Sequence, residues 1–277
     1  KLKKKNKAIY LLFLMPFVYF ATACFVVWLV KTSGIYPSGS DTMYHVYRGD
    51  YVYNAIKSGN WYPLYDPAWY NGVEILRYWS PFPAYVMAFC QYLAGGSQFG
   101  AYLFYIGGVC FLGACVWPFI GRGFNRPYLG AFIGLLWFFM PNNLCAIFIE
   151  GNLARSLSMI FLPVFIYSVY KYLYNHKLRY IPLMVFTFLL MELCHLGYAG
   201  MVAIAVIIYG IVYIIQKGRK KAALDVVISM IFGFMLLGIW LVASLRGGIT
   251  SLDNSENMAN FFQNLWITIN PFERLTR

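Results

Sequence analysis

Charged residues are scarce in this chain. Only 12% of its 277 residues are Asp, Glu, Lys or Arg, whereas 61% are hydrophobic. A soluble domain carries about twice that charged fraction, and its core cannot hold such an excess of apolar side chains. The composition therefore excludes a soluble enzyme and a disordered chain, and it predicts an all-α polytopic membrane protein.

Cysteine pairs with the spacing of disulfides or zinc ligands are also missing. The six cysteines lie singly in apolar segments, at positions 24, 90, 110, 115, 145 and 194. We expect them to be small buried hydrophobic residues, which excludes a disulfide-stapled secreted domain and a zinc module.

Acidic residues are few, with 10 against 22 basic ones and a net charge of +12. The basic residues form short clusters between apolar segments and not a continuous face. This pattern is typical of membrane topology and not of nucleic-acid binding. The lipid bilayer is therefore the expected partner, and no nucleic acid is expected.

Apolar runs of the length needed to cross a bilayer occur seven times. They cover residues 8–30, 99–120, 128–147, 157–174, 180–194, 198–215 and 226–245. Lysines before the first run predict a cytoplasmic N-terminus, and the later basic clusters fall on the same side only if the dozen residues 83–94 do not cross. We therefore predict an interfacial or re-entrant helix at 83–94, inside a long outer loop at 31–97. Residues 1–245 then form one transmembrane domain, and 246–277 form an outer tail that could be truncated here.

The outer loop carries three ionisable residues with helical spacing. Asp41, His45 and Arg48 follow a Ser-Gly-Ser turn that is a candidate helix N-cap, and they would share one helix face with Asp41 in the first turn. They could act as a base, a proton relay or metal ligand, and an anion clamp. The alternative is a solvated helix with an Asp–His pair.

Two further outer segments carry charges beside apolar runs. Glu150 could be a second acid facing the Asp41 helix, or it could simply pair with Arg155. Glu192 and His195 lie near the outer end of the fifth run, where ionisable residues are candidates for function, although a lone His there is more often a packing residue.

Metal and sugar binding are both compatible with these residue types. Asp41, His45 and Glu150, joined by Glu192 and His195, could hold a divalent cation such as Mg²⁺ or Mn²⁺, although no spacing demands one. The loop aromatics Trp61, Tyr62 and Trp69 could stack on a saccharide or merely anchor the loop at the membrane interface.

Three stretches resemble a known group of proteins. They are GSD at 39–41 with His45; GNWYP at 59–63 followed by Gly72 and PFPAY at 81–85; and EGNLAR at 150–155. These stretches resemble the bacterial and archaeal membrane proteins described as related to 6-pyruvoyl-tetrahydropterin synthase. One crossing followed by a long outer loop that opens with an Asp is similar, more widely, to the GT-C glycosyltransferases.

The wider resemblance implies a glycosyltransferase in the bacterial plasma membrane, with its site on the outer face. It implies a polyprenyl-phosphate-linked sugar as donor and a glycan, lipid or protein as acceptor. Asp41 would be the catalytic base, Glu150 would complete the site, and Arg48 or Arg155 would bind the phosphate. One departure is that Asp41 is followed by Thr42 and not by a second acid, which weakens a metal-dependent mechanism.

Two other hypotheses remain open from the sequence. One is a transporter or flippase for a lipid-linked substrate, for which charges at the bilayer midplane and broken helices would be expected. The other is a non-catalytic membrane scaffold that presents its loop to partners.

Overall fold

The computed structural model describes residues 2–37, 39–69 and 72–244, and the regular structure in these ranges is helical. Its helices are α1 (Leu2–Ser33), α2 (Thr42–Lys57), α3 (Ile75–Tyr78), α4 (Phe82–Leu93), α5 (Gln98–Gly123), α6 (Pro127–Leu136), α7 (Pro141–Leu144), α8 (Leu153–Asn175), α9 (Tyr180–Cys194), α10 (Leu196–Lys217) and α11 (Lys220–Ser244). The predicted all-α architecture is confirmed, while the predicted tail at 246–277 lies outside the described residues.

Within the described residues, six segments are long and apolar enough to cross a membrane. They are Phe13–Ser33, Gln98–Gly123, Pro127–Ile149, Leu153–Asn175, Leu196–Lys217 and Lys220–Ser244. The remaining predicted crossing, the fifth at 180–194, is the shorter helix α9, whose 15 residues span about 22 Å of a hydrocarbon layer that is about 30 Å thick. The 12-residue α4, at the predicted interfacial segment, spans only about 18 Å.

The third crossing is broken. After α6 the chain makes a 3₁₀ turn at Trp137–Phe139, the short helix α7, and a π-helical turn at Cys145–Ile149. Pro141 has no N–H with which to continue the helix. The break leaves backbone carbonyls without a helical partner. The Nδ2 of Asn143 donates to one of them, the carbonyl of Trp137 (2.8 Å).

Helix α5 is the centre of the first half of the bundle, and α1, α4, α6 and α8 pack against it. Its crossing with α6 is close because two glycines meet there. A Cβ atom at Gly121 would lie 2.6 Å from the Cα of Gly130. Close backbone approach at small residues is typical of membrane helices, because lipid provides little hydrophobic drive for association.

A second apolar core joins α8 and α9 to α10 and the first part of α11, around Phe165, Met184 and Val226. The chain up to Leu237 forms one compact unit, and a second unit begins at Gly238. Large apolar side chains such as Phe17, Phe119 and Ile215 are more than half exposed, as expected for helix faces that contact lipid.

The basic connectors gather at one end of the bundle. Lys171 donates its Nζ to the carbonyl of Gly123 (2.5 Å), and Arg219 pairs with His176. The connectors that follow α5, α8 and α10 therefore lie together. The opposite end carries the start of α2, the turn before α8 and the turn between α9 and α10.

Candidate functional site

The outer loop docks onto the turn before α8 through two glycines. A Cβ atom at Gly39 would lie 2.5 Å from the Cα of Gly151, and one at Gly151 would lie 2.2 Å from Oγ1 of Thr42. Gly151 also has a positive φ of 66°, which disfavours any other residue. The amide of Asp41 and the hydroxyl of Ser40 then both donate to the carbonyl of Glu150, at 3.1 and 3.0 Å.

Asp41 is the N-cap residue of α2. The sequence predicts it inside the first turn of this helix, and the structure places it one position earlier. Its side chain makes no capping bond to the helix, and its Oδ1 accepts a hydrogen bond from Ser40 (3.1 Å). The residue is partly exposed, and its carboxylate is not used to cap the helix.

Glu150 lies beside Asp41 and also pairs with Arg155, so the two interpretations of this acid are compatible. The carboxylate Oε2 lies 2.7 Å from Nη1 of Arg155. In the described part of the chain, Nε and Nη2 of Arg155 are buried and have no hydrogen-bond partner. A guanidinium with two unused donors is suited to a bound anion, because a buried donor without an acceptor is unfavourable.

His195 and Asn152 bring a second set of donors to the same place. Nδ1 of His195 accepts from the amide of Tyr198 (3.0 Å), so the hydrogen bonds assign the proton of the neutral ring to Nε2. Nε2 lies 3.4 Å from Nδ2 of Asn152, whose Oδ1 is already used by the amide of Arg155 (3.0 Å). Two donors thus lie side by side, and an acceptor oxygen within reach of both would satisfy them.

Three helix N-termini meet at this point. Asp41, Asn152 and His195 are the N-cap residues of α2, α8 and α10. Each helix N-terminus carries about half a positive charge, so their meeting favours an anion. Burial lowers the pKa of His195, and the charge of Arg155 acts in the same direction.

His45 and Arg48 extend the site into the protein. Burial lowers the pKa of His45 to about 3, and the charges of Arg48 and His195 act in the same direction. Arg48 is only 2% exposed. Its Nη2 donates to the carbonyls of Trp79 and Ser80 at 3.3 and 3.4 Å, so it fastens this segment to α2.

Glu192 lies deeper, near the end of α9, and is 2% exposed. Its carbonyl accepts from Oγ of Ser80 (3.0 Å). Within the ranges that the structure describes, its Oε2 has no hydrogen-bond partner.

The predicted aromatic residues separate into two places. The ring of Trp69 lies 5.0 Å from that of Tyr44, next to His45 on α2. Trp61 is 72% exposed, and its carbonyl accepts from the hydroxyl of Tyr85 on α4 (2.6 Å). Tyr62 follows it in the chain. Trp69 is thus near the site, whereas Trp61 and Tyr62 lie along α4.

A metal-ligand cluster is not formed by the described residues. No group of three or more His, Cys, Asp or Glu side chains in 2–37, 39–69 or 72–244 is arranged to hold a metal ion. The Mg²⁺ or Mn²⁺ ion that the sequence allows at Asp41, His45 and Glu150 therefore has no preformed ligand set there.

Sequence reasoning missed Asn152 and Thr42. Asn152 stands before an apolar run and three residues ahead of Arg155, which is a typical N-cap position and could have been recognised. Thr42 is fully buried between the two glycine segments, and no local signal indicates this.

Most of the chain matches a known family of membrane proteins. A family model described as the 6-pyruvoyl-tetrahydropterin synthase related domain, a membrane protein, matches residues 76–277. The chain belongs to this family. It is an integral membrane protein, and the narrower of the two resemblances is confirmed. No curated protein and no solved structure matches the chain.

The family domain includes Glu150, Arg155, Glu192 and His195 but begins after the helix that carries Asp41. The family description therefore gives no activity to the site, which must be argued from its geometry.

Substitution of Gly151 should separate the two segments. Gly151→Ala adds a Cβ that clashes with Thr42 and also meets backbone strain, so we expect a loss of about 2–4 kcal/mol in unfolding free energy. Gly34→Ala is the matched control, because Gly34 has a similar φ of 68° and nothing within 4 Å of its Cβ position. Gly34→Ala should lower the unfolding free energy only by the cost of backbone strain, about 1–2 kcal/mol. Equal losses in a detergent unfolding assay would contradict the close contact.

His45 should make the protein acid-sensitive. Its folded pKa of about 3 lies below the unfolded value of about 6.5, so the unfolded chain binds a proton first as the pH falls. Stability should therefore decline between pH 6.5 and 3, by up to about 1.4 kcal/mol per pH unit. His45→Gln should reduce this slope in unfolding measurements at stepped pH. An unchanged slope would mean that His45 takes up its proton at the same pH in the folded and unfolded chains, which would contradict the lowered pKa.

Proposed function

We propose that the protein is a GT-C-type glycosyltransferase that moves a sugar from a polyprenyl phosphate to an acceptor hydroxyl on a glycan, lipid or protein. The reaction would take place at the outer face of a bacterial plasma membrane. The observation that carries the proposal is the meeting of the Asp41 carboxylate, Arg155 and three helix N-termini at the end of the bundle opposite the basic connectors.

The donor cluster supports a phosphate ligand. Arg155 has two buried N–H groups without partners among the described residues, and Nε2 of His195 faces the amide of Asn152. A guanidinium binds two phosphate oxygens at once, and the helix dipoles add to its charge. Phosphate is also the group on which negative charge grows when the sugar leaves.

An apolar groove beside the cluster supports a lipid chain on that phosphate. Its volume is about 410 Å³. It begins at Tyr198 and at Met159, one helical turn from Arg155, and follows α8 past Pro163 to Tyr170. Grooves of this size hold small ligands, and an isoprenoid chain would satisfy the apolar walls.

The proposed reaction is a single displacement with inversion. Asp41 accepts the proton of the acceptor hydroxyl, whose oxygen bonds to the anomeric carbon while the bond from that carbon to the phosphate oxygen breaks. The polyprenyl phosphate leaves with the bonding electrons, and Arg155 stabilises its charge. His45, one turn along α2 from Asp41, positions the helix and does not itself take the proton.

A lipid-linked transporter or flippase is the second candidate. The broken third crossing favours it, because broken helices beside a groove are typical of transporters. Proteoliposomes loaded with a polyprenyl-phosphate hexose distinguish the two, since a transporter moves the intact lipid and makes no glycosidic bond. A scaffold would bind no donor, with or without Asp41 and His45.

Replacement of the base should abolish transfer. We expect Asp41→Asn to lower the transfer of radiolabelled hexose from a panel of polyprenyl-phosphate hexoses by about 10²–10⁴-fold, because the amide cannot take a proton. Asp50→Asn is the matched control. Asp50 lies on the same helix and accepts a hydrogen bond from Gln91 (2.6 Å), away from the cluster. Full activity of Asp41→Asn, or an equal loss in both variants, would discard the assignment.

A further inference from the structure

A second apolar groove lies at the other end of the bundle, between α8, α10 and α11. Its volume is about 400 Å³. Its walls are aliphatic or glycine, formed by residues such as Val169, Leu173, Val206 and Ile211, and the exceptions are Lys220 and Lys221. The groove is thus a hydrocarbon channel with two ammonium groups at one end.

The groove lies beside the turn between α10 and α11, and one glycine of α10 leaves it open. Gly218 has a φ of 69° and turns the chain from α10 into α11. Gly210 faces the groove, and a Cβ added there would still lie 3.9 Å from the Cβ of Ala223. At membrane depth such a space is filled by hydrocarbon, because apolar walls do not favour water.

The end of the groove is strongly basic. Lys217, Arg219, Lys220 and Lys221 lie within five consecutive positions of the chain. The nearby Asp225, whose Oδ2 accepts from the hydroxyl of Tyr172 on α8 (2.5 Å), offsets only one of these four positive charges. Lys220 and Lys221 are both exposed. A partner for them must bring negative charge.

We propose that this groove binds one anionic phospholipid, with its phosphate at Lys220 and Lys221 and an acyl chain along α10 from Ile214 towards Val206. That stretch is about 12 Å long, at 1.5 Å per residue. Basic clusters at the end of membrane helices select anionic over zwitterionic headgroups, which carry no net charge. The site is independent of the proposed sugar donor site, because the 22 residues of α10 separate the two by about 33 Å.

The test uses the full chain in nanodiscs that contain equal amounts of phosphatidylglycerol and phosphatidylcholine. Retained lipid is counted by native mass spectrometry after release in mild detergent. The wild-type protein should retain one phosphatidylglycerol. Lys220→Gln with Lys221→Gln should bind it roughly 30-fold more weakly. These positions are exposed, so the variant is expected to fold.

Two further variants separate headgroup, chain and general charge. Gly210→Leu keeps both lysines but fills the groove, and it should also lose the lipid. Arg122→Gln with Arg126→Gln removes exposed charge from another basic connector at the same end, and it should retain the lipid.

Three results with these variants would overturn the proposal. They are full retention after loss of the two lysines, equal loss in the Arg122 and Arg126 variant, and full retention in Gly210→Leu. Displacement of the lipid by millimolar inorganic phosphate would indicate a simple anion site and would also contradict it.

Discussion

The contact between Gly39 and Gly151 is the constraint on which the outer end of the molecule depends. Two backbone segments that are far apart in the chain approach so closely that a Cβ on either one would overlap its neighbours. Because they touch, Ser40 and the amide of Asp41 reach the carbonyl of Glu150. Thr42 is buried by the same contact, which explains why no second acid follows Asp41. A carboxylate at position 42 would be buried without a cation.

The contact between Gly39 and Gly151 also determines the electrostatics of the site. The docked loop places the N-terminus of α2 beside those of α8 and α10, and Arg155 lies among them. Only one of the nitrogens of Arg155 is used by Glu150, and two others have no partner among the described residues. Buried donors of this kind cost about 1–3 kcal/mol each unless a ligand satisfies them. The site therefore combines a partly exposed acidic residue with an unsatisfied positive centre, and the proposed transfer from a phosphate rests on this pairing.

The crossings follow from the sequence because hydropathy is a local property. In the described residues five of the seven apolar runs form single long helices, the run at 128–147 forms a broken one, and the run ending at Cys194 is short. Pro141, followed by two asparagines inside the run at 128–147, indicates a kink in the third crossing, but the 3₁₀ and π-helical turns on either side of it depend on packing. Helical spacing predicts that Asp41, His45 and Arg48 share one face of a helix. Only Asp41 lies at the start of α2 beside Glu150. Arg48 points into the protein and donates to the carbonyls of Trp79 and Ser80. The meeting of Asn152 with His195 depends on tertiary packing, which no local pattern reports.

The docked loop can be tested directly with paired cysteines in a background that has none of the six native ones. Ser40→Cys with Glu150→Cys should form a disulfide rapidly under mild oxidation in native membranes, since Oγ of Ser40 lies 3.0 Å from the carbonyl of Glu150. Ser40→Cys with Ser58→Cys should not, because the 16 residues of α2 hold these positions about 24 Å apart. Absence of the 40–150 disulfide, while both cysteines still react with maleimide, would contradict the account.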